Sequence, residues 1–437
     1  MNARTIIASA SAAGRGGVSV VRMSGEGSRS IAEKMCGELS EPWKFKKCSI
    51  SSQNGEVIDS GMVVFFQSPH SYTGEDVVEF HCHGNPTIVA MVIDEAVAMG
   101  AAIAEPGEFT KKAFLNNKID LAQAESVSDL INAQSKSAVL AANASLTGRF
   151  SEQVNRLIDG VVKARVIVEA NIDFPEEDVD KNLLDNVKLN IKGYSDEVSE
   201  LLSGVREGVK LREGYSIAIV GPPNAGKSTL LNLIAKNDVA ITSDVPGTTR
   251  DLVRVSVDVG GVVIEFVDTA GVRSNPDSDI EKEGINRSLG AVKESNLTLL
   301  VQDVTDVKEF SADLGKHIVV MNKCDLKENW PSHGNKKFYV SSTTGQGVQD
   351  LLKAIIASLG VDEGGETAFL SRKRHEESLG LVADLLLESI VSLSEGGALE
   401  LVAENLRSAH HHLGDILRPM SSDDLLGEIF SEFCIGK

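Results

Sequence analysis

The stretch that decides the fold is GPPNAGKS, residues Gly221–Ser228. It matches the pattern GxxxxGK[ST], and it lies between a predicted strand at 216–220 and a predicted helix that begins near Thr229. The glycines of such a turn let backbone N–H groups close around a phosphate at the N-terminus of the helix. Lys227 would neutralise phosphate oxygens, and the hydroxyl of Ser228 would hold Mg²⁺. A chance match in a glycine-rich turn is disfavoured because a strand precedes the motif and a helix follows it.

Three further motifs come after predicted strands. DTAG, residues Asp268–Gly271, would bring a carboxylate to Mg²⁺ and a backbone amide to the γ-phosphate. NKCD, residues Asn322–Asp325, supplies a carboxylate that can accept two hydrogen bonds from guanine. Adenine lacks this pair of donors and would leave the carboxylate, which we expect to be buried, unpaired. SST, residues Ser341–Thr343, would pack under the base. Four motifs at strand ends predict a domain that binds GTP.

The group that assists hydrolysis is less evident from these motifs. Val272 occupies the position where many small GTPases carry a glutamine that orients the attacking water, so the acidic segment 277–283 is the expected source of a substitute. Upstream, residues 247–251 offer hydroxyls for Mg²⁺. Asn224 could help to coordinate a monovalent cation that replaces the charge of an arginine finger, or it could only stabilise the turn. The residue type leaves both interpretations open.

Composition limits the class of protein. The chain has 437 residues, enough for about three domains. Its 43 Lys+Arg and 63 Asp+Glu give a net charge of 43 − 63 = −20, which argues against a polybasic nucleic-acid binder but not against a local basic groove. No bilayer-spanning run and no signal peptide are expected from the apolar pattern. Five scattered cysteines without a CxxC pair indicate reduced thiols in the cytoplasm.

The character of the sequence changes along the chain. The first 115 or so residues alternate β-rich runs with Gly, Pro and Ser, and a helix is predicted there from Thr87 to Met99. Residues 115 to about 171 have helical periodicity. A proline and four acids at 173–178 break that pattern, and another amphipathic helix is predicted at about 184–209. Strands predicted at 216–220, 262–267, 297–301, 317–321 and 338–340 alternate with helices over 215–360, and helices are predicted from there to the end. The last of these helices has a predicted apolar stripe of Leu399, Val402, Leu406, Ala409, Leu413 and Leu417. An α/β domain is therefore predicted between two helical halves.

Motifs spread over the whole chain carry a resemblance to a known family. They are GRGGV at 14–18, SYTGED at 71–76, PGEFT at 106–110, AFLN at 113–116, DLAQAE at 120–125, DFPEED at 173–178 and CIGK at 434–437. With them, the chain resembles the MnmE (TrmE) family of tRNA modification GTPases. The resemblance implies a multidomain α/β plus all-α fold, in which a P-loop GTPase domain is inserted into a helical domain preceded by an α+β folate-binding domain. The implied boundaries are 1–117 for the folate-binding and dimerisation domain, 118–212 and 363–437 for the two helical parts, and 213–362 for the GTPase domain.

The resemblance also implies an activity. With a flavin-dependent partner, MnmG, such proteins add a carboxymethylaminomethyl or aminomethyl group to carbon 5 of the wobble uridine of certain tRNAs. The implied cofactors are GTP, Mg²⁺, K⁺ and 5-formyl- or 5,10-methylene-tetrahydrofolate. The implied assembly is a cytoplasmic homodimer whose GTPase is activated by potassium when two GTPase domains meet.

Functional residues of the family are carried over by position. The folate contacts would be Arg22, Glu79, Lys118 and Lys437. Potassium would be held by Asn224, Ser243, Val245 and Thr248, and Mg²⁺ by Ser228 and Thr249. The catalytic set would be Glu281, which positions the hydrolytic water, together with Lys227 and Gly271. The complete nucleotide set would be Asn224, Ala225, Gly226, Lys227, Ser228, Thr229, Ser243, Asp244, Val245, Pro246, Gly247, Thr248, Thr249, Asp268, Thr269, Ala270, Gly271, Asn322, Lys323, Asp325, Ser341, Ser342 and Thr343.

The sequence departs from the family pattern at several points. Ser11–Ala13 stands where Thr-Pro is common, and the loop from Gly271 to Glu281 is one residue longer than usual, which affects the assignment of Glu281. Ser243 replaces a frequent threonine, and SST at 341–343 replaces Ser-Ala-Lys.

Other interpretations compete with this one. A regulatory GTPase in ribosome assembly often carries a basic RNA-binding module, but residues 361–437 have 6 Lys+Arg and 15 Asp+Glu, a net charge of −9. Cys434 could be a catalytic thiol or a small neighbour of the folate, and lipidation at this cysteine is disfavoured because no polybasic run precedes it. Metal binding by the histidines at 81 and 83 or at 410–412 is disfavoured by their spacing.

Overall fold

The structure is a computed structural model that describes residues 4–173, 181–237, 240–241, 253–268, 290–307, 313–326, 337–359, 369–418, 427, 429–431 and 433–436. Its contacts divide the chain into two compact units. The first unit comprises 1–131, 145–197 and 378–437, and the second comprises 132–144 and 198–377. Both units are therefore assembled from segments that are distant in the sequence.

A six-stranded sheet forms the N-terminal part of the first unit. Its strands are β1 (Ile6–Ser9), β2 (Gly16–Ser24), β3 (Lys46–Ser51), β4 (Val57–Phe66), β5 (Val77–Gly84) and β6 (Ala102–Ile103), in the order β3-β4-β5-β2-β1-β6. Helices α1 (Ser28–Cys36), α2 (Pro86–Ala98) and α3 (Glu108–Leu115) belong to the same part. Apolar side chains of β2 and β5, among them Val21 and Phe80, are fully buried in the core that α1 and α2 cover. The helix predicted from Thr87 to Met99 corresponds to α2.

The predicted helical stretch from 115 to about 171 is divided into three helices after α3. They are α4 (Leu121–Asn132), α5 (Lys136–Leu146) and α6 (Arg149–Asp173), and α7 (Lys181–Glu213) follows. Helix α6 is described as far as Asp173, and the rest of the predicted break at 173–178 lies outside the described residues. The predicted helix at 184–209 is α7, which is longer at both ends.

A seven-stranded sheet forms the core of the second unit. Its strands are β7 (Tyr215–Val220), β8 (Ala240–Ile241), β9 (Val253–Val259), β10 (Val262–Asp268), β11 (Leu297–Asp303), β12 (His317–Asn322) and β13 (Lys337–Tyr339), in the order β13-β12-β11-β7-β10-β9-β8. Five of them, from β13 to β10, are mutually parallel, and β9 is antiparallel to both of its neighbours. Helices α8 (Lys227–Asn237) and α9 (Val348–Leu359) pack on this sheet through buried residues such as Leu230 and Ile355. Parallel strands bring their carboxyl ends to one edge, which is where ligands of open α/β sheets bind.

The chain ends in two long helices, α10 (Lys373–Glu395) and α11 (Leu399–Leu417). On α11 the predicted apolar stripe is present, because Val402, Leu406, Ala409 and Leu413 are fully buried. This stripe faces α6, which presents Val154 and Val161 as fully buried residues. Within the described residues, no helix combines the length and the apolarity that a membrane span needs.

Candidate active site

The phosphate loop connects β7 to α8, and two of its residues must be glycine. Gly221 has φ +149° and Gly226 has φ +88°, which are conformations that side chains rarely adopt. A Cβ at Gly221 would collide with the carbonyl oxygen of Val301, and one at Gly226 would collide with the amide of Asn322. The backbone of the loop therefore approaches β11 and β12 closely, and its N–H groups lie at the N-terminus of α8.

The side chain of Lys227 is buried over this loop. Its Nζ donates to the carbonyl oxygens of Gly221, at 2.8 Å, and of Pro222, at 2.9 Å. A buried ammonium needs such acceptors, because an unpaired buried charge is costly. The phosphate oxygens of a nucleotide are stronger, anionic acceptors for the same cation, so the loop holds Lys227 where the predicted chemistry requires it.

Asn322 links the phosphate loop to the base-recognition segment. Its side-chain amide donates to the carbonyl oxygen of Ala225 at 2.9 Å, and its Oδ1 accepts from the backbone N–H and the hydroxyl of Ser342, at 3.0 and 2.6 Å. Asn322 is 1% exposed, so these hydrogen bonds are made away from water. Asn322 therefore holds together the phosphate loop and the segment at 341–343, two motifs that are far apart in the sequence.

Asp325 is exposed, which differs from the buried carboxylate that the NKCD motif predicts. Its Oδ1 accepts a hydrogen bond of 2.6 Å from the hydroxyl of Ser341, which is fully buried. The same hydroxyl oxygen accepts from the N–H groups of Thr343 and Thr344, at 3.3 and 3.1 Å. The carboxylate thus has one oxygen oriented by the Ser341 turn, and a guanine base could pair with it from solvent.

Lys323 is paired with Asp303, a residue that belongs to none of the sequence motifs. Its Nζ lies 2.6 Å from Oδ2 of Asp303, the last residue of β11. Burial alone would raise the pKa of Asp303, but hydrogen bonds from Lys323 and Thr305 outweigh it and lower the pKa to about 2. The only sequence feature that points to Asp303 is its position just after the predicted strand 297–301. The pair fixes Lys323, whose backbone has a φ of +64°.

Of the two predicted magnesium ligands, the structure describes Ser228. Ser228, in the first turn of α8, is exposed, and its hydroxyl is an oxygen ligand of the kind that Mg²⁺ prefers. The backbone of Asp268 ends β10 opposite Ile219 of the parallel strand β7, and the side chain of Asp268 lies outside the described part of the structure. Asn224, the proposed potassium ligand, is exposed on the phosphate loop with φ +64°. In the described part of the chain, no group of three or more His, Cys, Asp or Glu side chains lies together as a metal site.

Many of the predicted residues lie outside the described residues. These are Ser243, Asp244, Val245, Pro246, Gly247, Thr248, Thr249, Thr269, Ala270, Gly271, Glu281 and Lys437. The roles of these residues stay predictions, and so do the metal-ligand roles of Ser228 and Asn224.

A cavity lies in the first unit, beside the six-stranded sheet. It has a volume of about 510 Å³, and three of the four predicted folate residues line it, namely Arg22, Glu79 and Lys118. Arg22 and Glu79 are opposite each other in the register of β2 and β5, and Nε of Arg22 donates to Oε1 of Glu79 at 2.8 Å. Their side chains are 17% and 14% exposed. The sheet register thus places a shielded ion pair in the wall of the cavity.

Aromatic side chains form much of the remaining wall. Trp43, Phe66 and Tyr72 line the cavity, together with His70. The guanidinium of Arg22 lies 5.2 Å from the ring centroid of Tyr72, whose hydroxyl is 2.8 Å from Oγ1 of Thr110. Burial raises the pKa of the Tyr72 phenol. Tyr72 lies in the SYTGED motif, but nothing in the sequence pattern indicated the other aromatic residues.

The segment before the C-terminus packs on the N-terminal part of the same unit. Ile435 forms an isolated antiparallel bridge with Pro106, and the N–H of Gly107 donates to the carbonyl of Cys434 at 3.4 Å. Cys434 is exposed and does not line the cavity. The PGEFT and CIGK motifs, more than three hundred residues apart in the sequence, are therefore neighbours.

Comparisons with known proteins cover both units. A family model described as MnmE helical domain matches residues 121–434, and one described as GTP-binding protein TrmE N-terminus matches residues 5–118. The tRNA modification GTPase MnmE of Legionella pneumophila (strain Corby) is 42% identical over 448 residues, which cover 100% of this chain and 100% of that protein. The chain belongs to the MnmE family of tRNA modification GTPases.

Other MnmE proteins are similar over the same length. The tRNA modification GTPase MnmE of Coxiella burnetii (strain RSA 493 / Nine Mile phase I) is 41% identical, with 99% of this chain and 98% of that protein covered. The one from Neisseria gonorrhoeae (strain NCCP11945) is 40% identical, with 100% and 99% covered. Family membership confirms the predicted multidomain α/β plus all-α fold and the enzyme class, a GTPase.

Proposed function

We propose that this member of the MnmE family modifies tRNA, with GTP hydrolysis and a tetrahydrofolate one-carbon unit as the two inputs. A flavin-dependent MnmG-like protein would be its partner, and the product would carry a carboxymethylaminomethyl or aminomethyl group on carbon 5 of the wobble uridine. The observation that carries the proposal is the cavity of the first unit, where Arg22, Glu79 and Lys118 meet although they are far apart in the sequence. The phosphate loop lies in the other unit of the same chain.

The chemistry of the cavity suits a folate. Pterin is a planar ring with hydrogen-bond donors arranged like those of guanine, so a shielded carboxylate such as Glu79 can bind it. Lys118, whose Nζ donates to the carbonyl of Pro69 at 2.9 Å, supplies a cation for the glutamate tail. Lys437 would be a second cation for the tail. The donor for the transfer would be 5-formyl- or 5,10-methylene-tetrahydrofolate.

In the nucleotide site, each group has a part in hydrolysis. Lys227 and the amide of Gly271 would stabilise charge on the phosphate oxygens, and Glu281 would position the attacking water. Mg²⁺, held by Ser228 and Thr249, and K⁺, held by Asn224, Ser243, Val245 and Thr248, would neutralise negative charge that develops during phosphoryl transfer. Dimerisation of two GTPase domains would complete this site.

The proposal also covers organisation and location. The protein would be a cytoplasmic homodimer with boundaries at 117/118, 212/213 and 362/363, and the first segment would dimerise. With a net charge of −20, the chain would hold tRNA at a few local basic positions or leave most of the binding to its partner.

Mass analysis of tRNA tests the modification. Cells that lack this chain should have wobble uridines without the group at carbon 5, and the wild-type gene should restore it. The Glu79→Gln and Asp325→Asn variants should each restore less of it, because the first binds the folate more weakly and the second binds GTP more weakly. Wobble uridines that are the same with and without the chain would contradict the proposal.

The salt dependence of GTP hydrolysis tests the cation. At equal ionic strength we expect faster hydrolysis in potassium chloride than in sodium chloride, because the smaller ion does not fit ligands placed for potassium. The Asn224→Ala variant should lose this difference while it retains the slow rate seen in sodium. Equal wild-type rates in the two salts would exclude Asn224 as a cation ligand.

A further inference from the structure

Trp43 is the most unusual residue of the cavity wall. Its side chain is 62% exposed, although large aromatic residues usually bury most of their surface. Its φ is +67°, in the left-handed region that bulky residues avoid. Such a conformation costs on the order of 1–3 kcal/mol and is found mainly at functional sites. Exposure and an unfavourable backbone together indicate that this tryptophan is kept for a purpose other than folding.

Local contacts hold the indole at the edge of the cavity. The backbone N–H of Trp43 donates to the carbonyl of Phe65 at 2.8 Å, and its ring makes an edge-to-face contact with Phe66, with centroids 4.6 Å apart and planes at 84°. Both Trp43 and Phe66 line the cavity. The contact orients the indole without covering it, so a wide apolar surface is available to a ligand.

The polar groups of the cavity define how a folate would enter. Glu79 and Arg22 are shielded, at 14% and 17% exposure, and Trp43 is on the open side. All of these residues line one cavity, so a ligand whose bicyclic ring pairs with the carboxylate of Glu79 can place its next ring on the indole. Lys118 lines the same cavity and has no carboxylate partner among the lining residues, so it is the cation for an anionic tail.

We propose that Trp43 is a specificity-determining residue, which stacks on the aminobenzoyl ring between the pterin and the glutamate tail. The inference rests on the proposed folate site and adds to it, because the stacking makes the cavity select complete folates over simple pterins. Offset stacking of two aromatic rings stabilises a complex beyond the area that it buries. A pterin without the aminobenzoyl ring has nothing to place on the indole.

Binding measured by calorimetry and by displacement tests the proposal. We compare 5-formyl-tetrahydrofolate with 6-methyl-tetrahydropterin, which lacks the aminobenzoyl ring and the tail. The main variant is Trp43→Gly, because glycine accepts a φ of +67° and the backbone is not strained further. We expect the folate to bind about tenfold more weakly, equivalent to about 1.4 kcal/mol, and the pterin to bind as it does to the wild type.

Two variants serve as controls. Trp43→Phe keeps a ring and should restore most of the folate affinity. Phe45→Ala removes a neighbouring aromatic residue that is 57% exposed and contacts His81 instead of the cavity, and it should bind folate like the wild type. The thermal unfolding midpoint of Trp43→Gly should equal or exceed that of the wild type, whereas a residue kept for structure would lower it.

Fluorescence gives an independent readout. The chain has two tryptophans, and in a Trp330→Phe background Trp43 is the remaining one. We expect folate to change its emission with the same dissociation constant that calorimetry gives, and 6-methyl-tetrahydropterin to change it much less.

The possible binding results distinguish the inference about Trp43 from the proposed folate site. If the wild type binds the folate and Trp43→Gly binds it equally well, the inference about Trp43 is wrong and the folate site stands. If the folate and the pterin lose affinity equally, Trp43 shapes the cavity instead of selecting the ligand, and the inference is again wrong. If the wild type binds no folate, the proposed function fails and the inference fails with it.

Discussion

The phosphate loop and the N-terminal cavity are built in opposite ways. The loop is eight consecutive residues whose conformation follows from two glycines and the start of a helix, and its lysine bonds to the carbonyls of its own turn. The cavity takes residues from several strands and loops, between Arg22 and Lys118, and it exists only when the sheet has paired. The sequence pattern predicts a site when consecutive residues form it. The pattern does not predict a site that forms only when strands pair in a particular register.

The two regions share one physical feature. Among the described residues, four that are not glycine have a positive φ: Trp43, Asn117, Asn224 and Lys323. Two belong to the nucleotide site, and the other two are Trp43 in the cavity wall and Asn117, next to Lys118. Conformations of this kind are stable only when the surroundings enforce them. Both sites therefore contain residues whose backbone conformation is unfavourable by itself and is held by the surrounding structure.

The largest expected effect is on the nucleotide site. Asp325→Asn should weaken GTP binding roughly a hundredfold, since about 3 kcal/mol is lost when a carboxylate that accepts two hydrogen bonds becomes an amide. Xanthosine triphosphate, which has a carbonyl in place of the exocyclic amine, should bind better to the variant than to the wild type. Equilibrium titration with both nucleotides measures the change.

The effect of Asp325→Asn should be confined to the nucleotide site. Binding of 5-formyl-tetrahydrofolate to Asp325→Asn should be the same as in the wild type, because the cavity is in the other unit. No change of base preference would place the guanine pocket elsewhere.

The second effect concerns the cavity. Glu79→Gln should weaken folate binding about thirtyfold, or about 2 kcal/mol, because the ligand loses a charged acceptor and Arg22 loses its anionic partner. GTP affinity should not change. Calorimetry with each ligand measures both quantities.

Glu75→Gln is the matched control for this substitution. Glu75 also pairs with a cation, Lys112 at 2.8 Å, but it does not line the cavity. If both variants lose the same folate affinity, the loss comes from a weakened fold and not from the site.

The smallest effect is on the pH dependence of stability. The folded-state pKa of Asp303, about 2, is below its ordinary value of 3.8, so its stabilising contribution is present above about pH 4 and is lost as the pH falls through about 2. Asp303→Asn should reduce the free energy of unfolding by on the order of 1 kcal/mol at neutral pH, since both partners are partly exposed and screened. Urea unfolding of the variant and the wild type should show this difference decreasing between pH 4 and pH 2. A difference that is the same at every pH would mean that the Lys323–Asp303 pair is not its source.

Particular residues show how far the sequence could be interpreted. The strands that carry the nucleotide motifs were predicted within one or two residues of β7, β10, β11, β12 and β13, because buried parallel strands have continuous apolar runs. The motif predicts a buried Asp325, but the residue is exposed, since a motif shows the type of a side chain and not its solvent access. No motif indicates Asp303 or Trp43, because both act through partners at a distance in the sequence.

The sequence by itself determined the chemistry of the phosphate loop, the family and the order of the structural segments, because these depend on residue type and on short spacing. Only the tertiary structure decided which distant residues share a site. The pairing of β2 with β5 brings Arg22 to Glu79, the neighbouring ends of β11 and β12 bring Asp303 to Lys323, and the contact of Trp43 with Phe66 completes the cavity. The physical reason is that strand register and side-chain packing join residues that no local pattern connects.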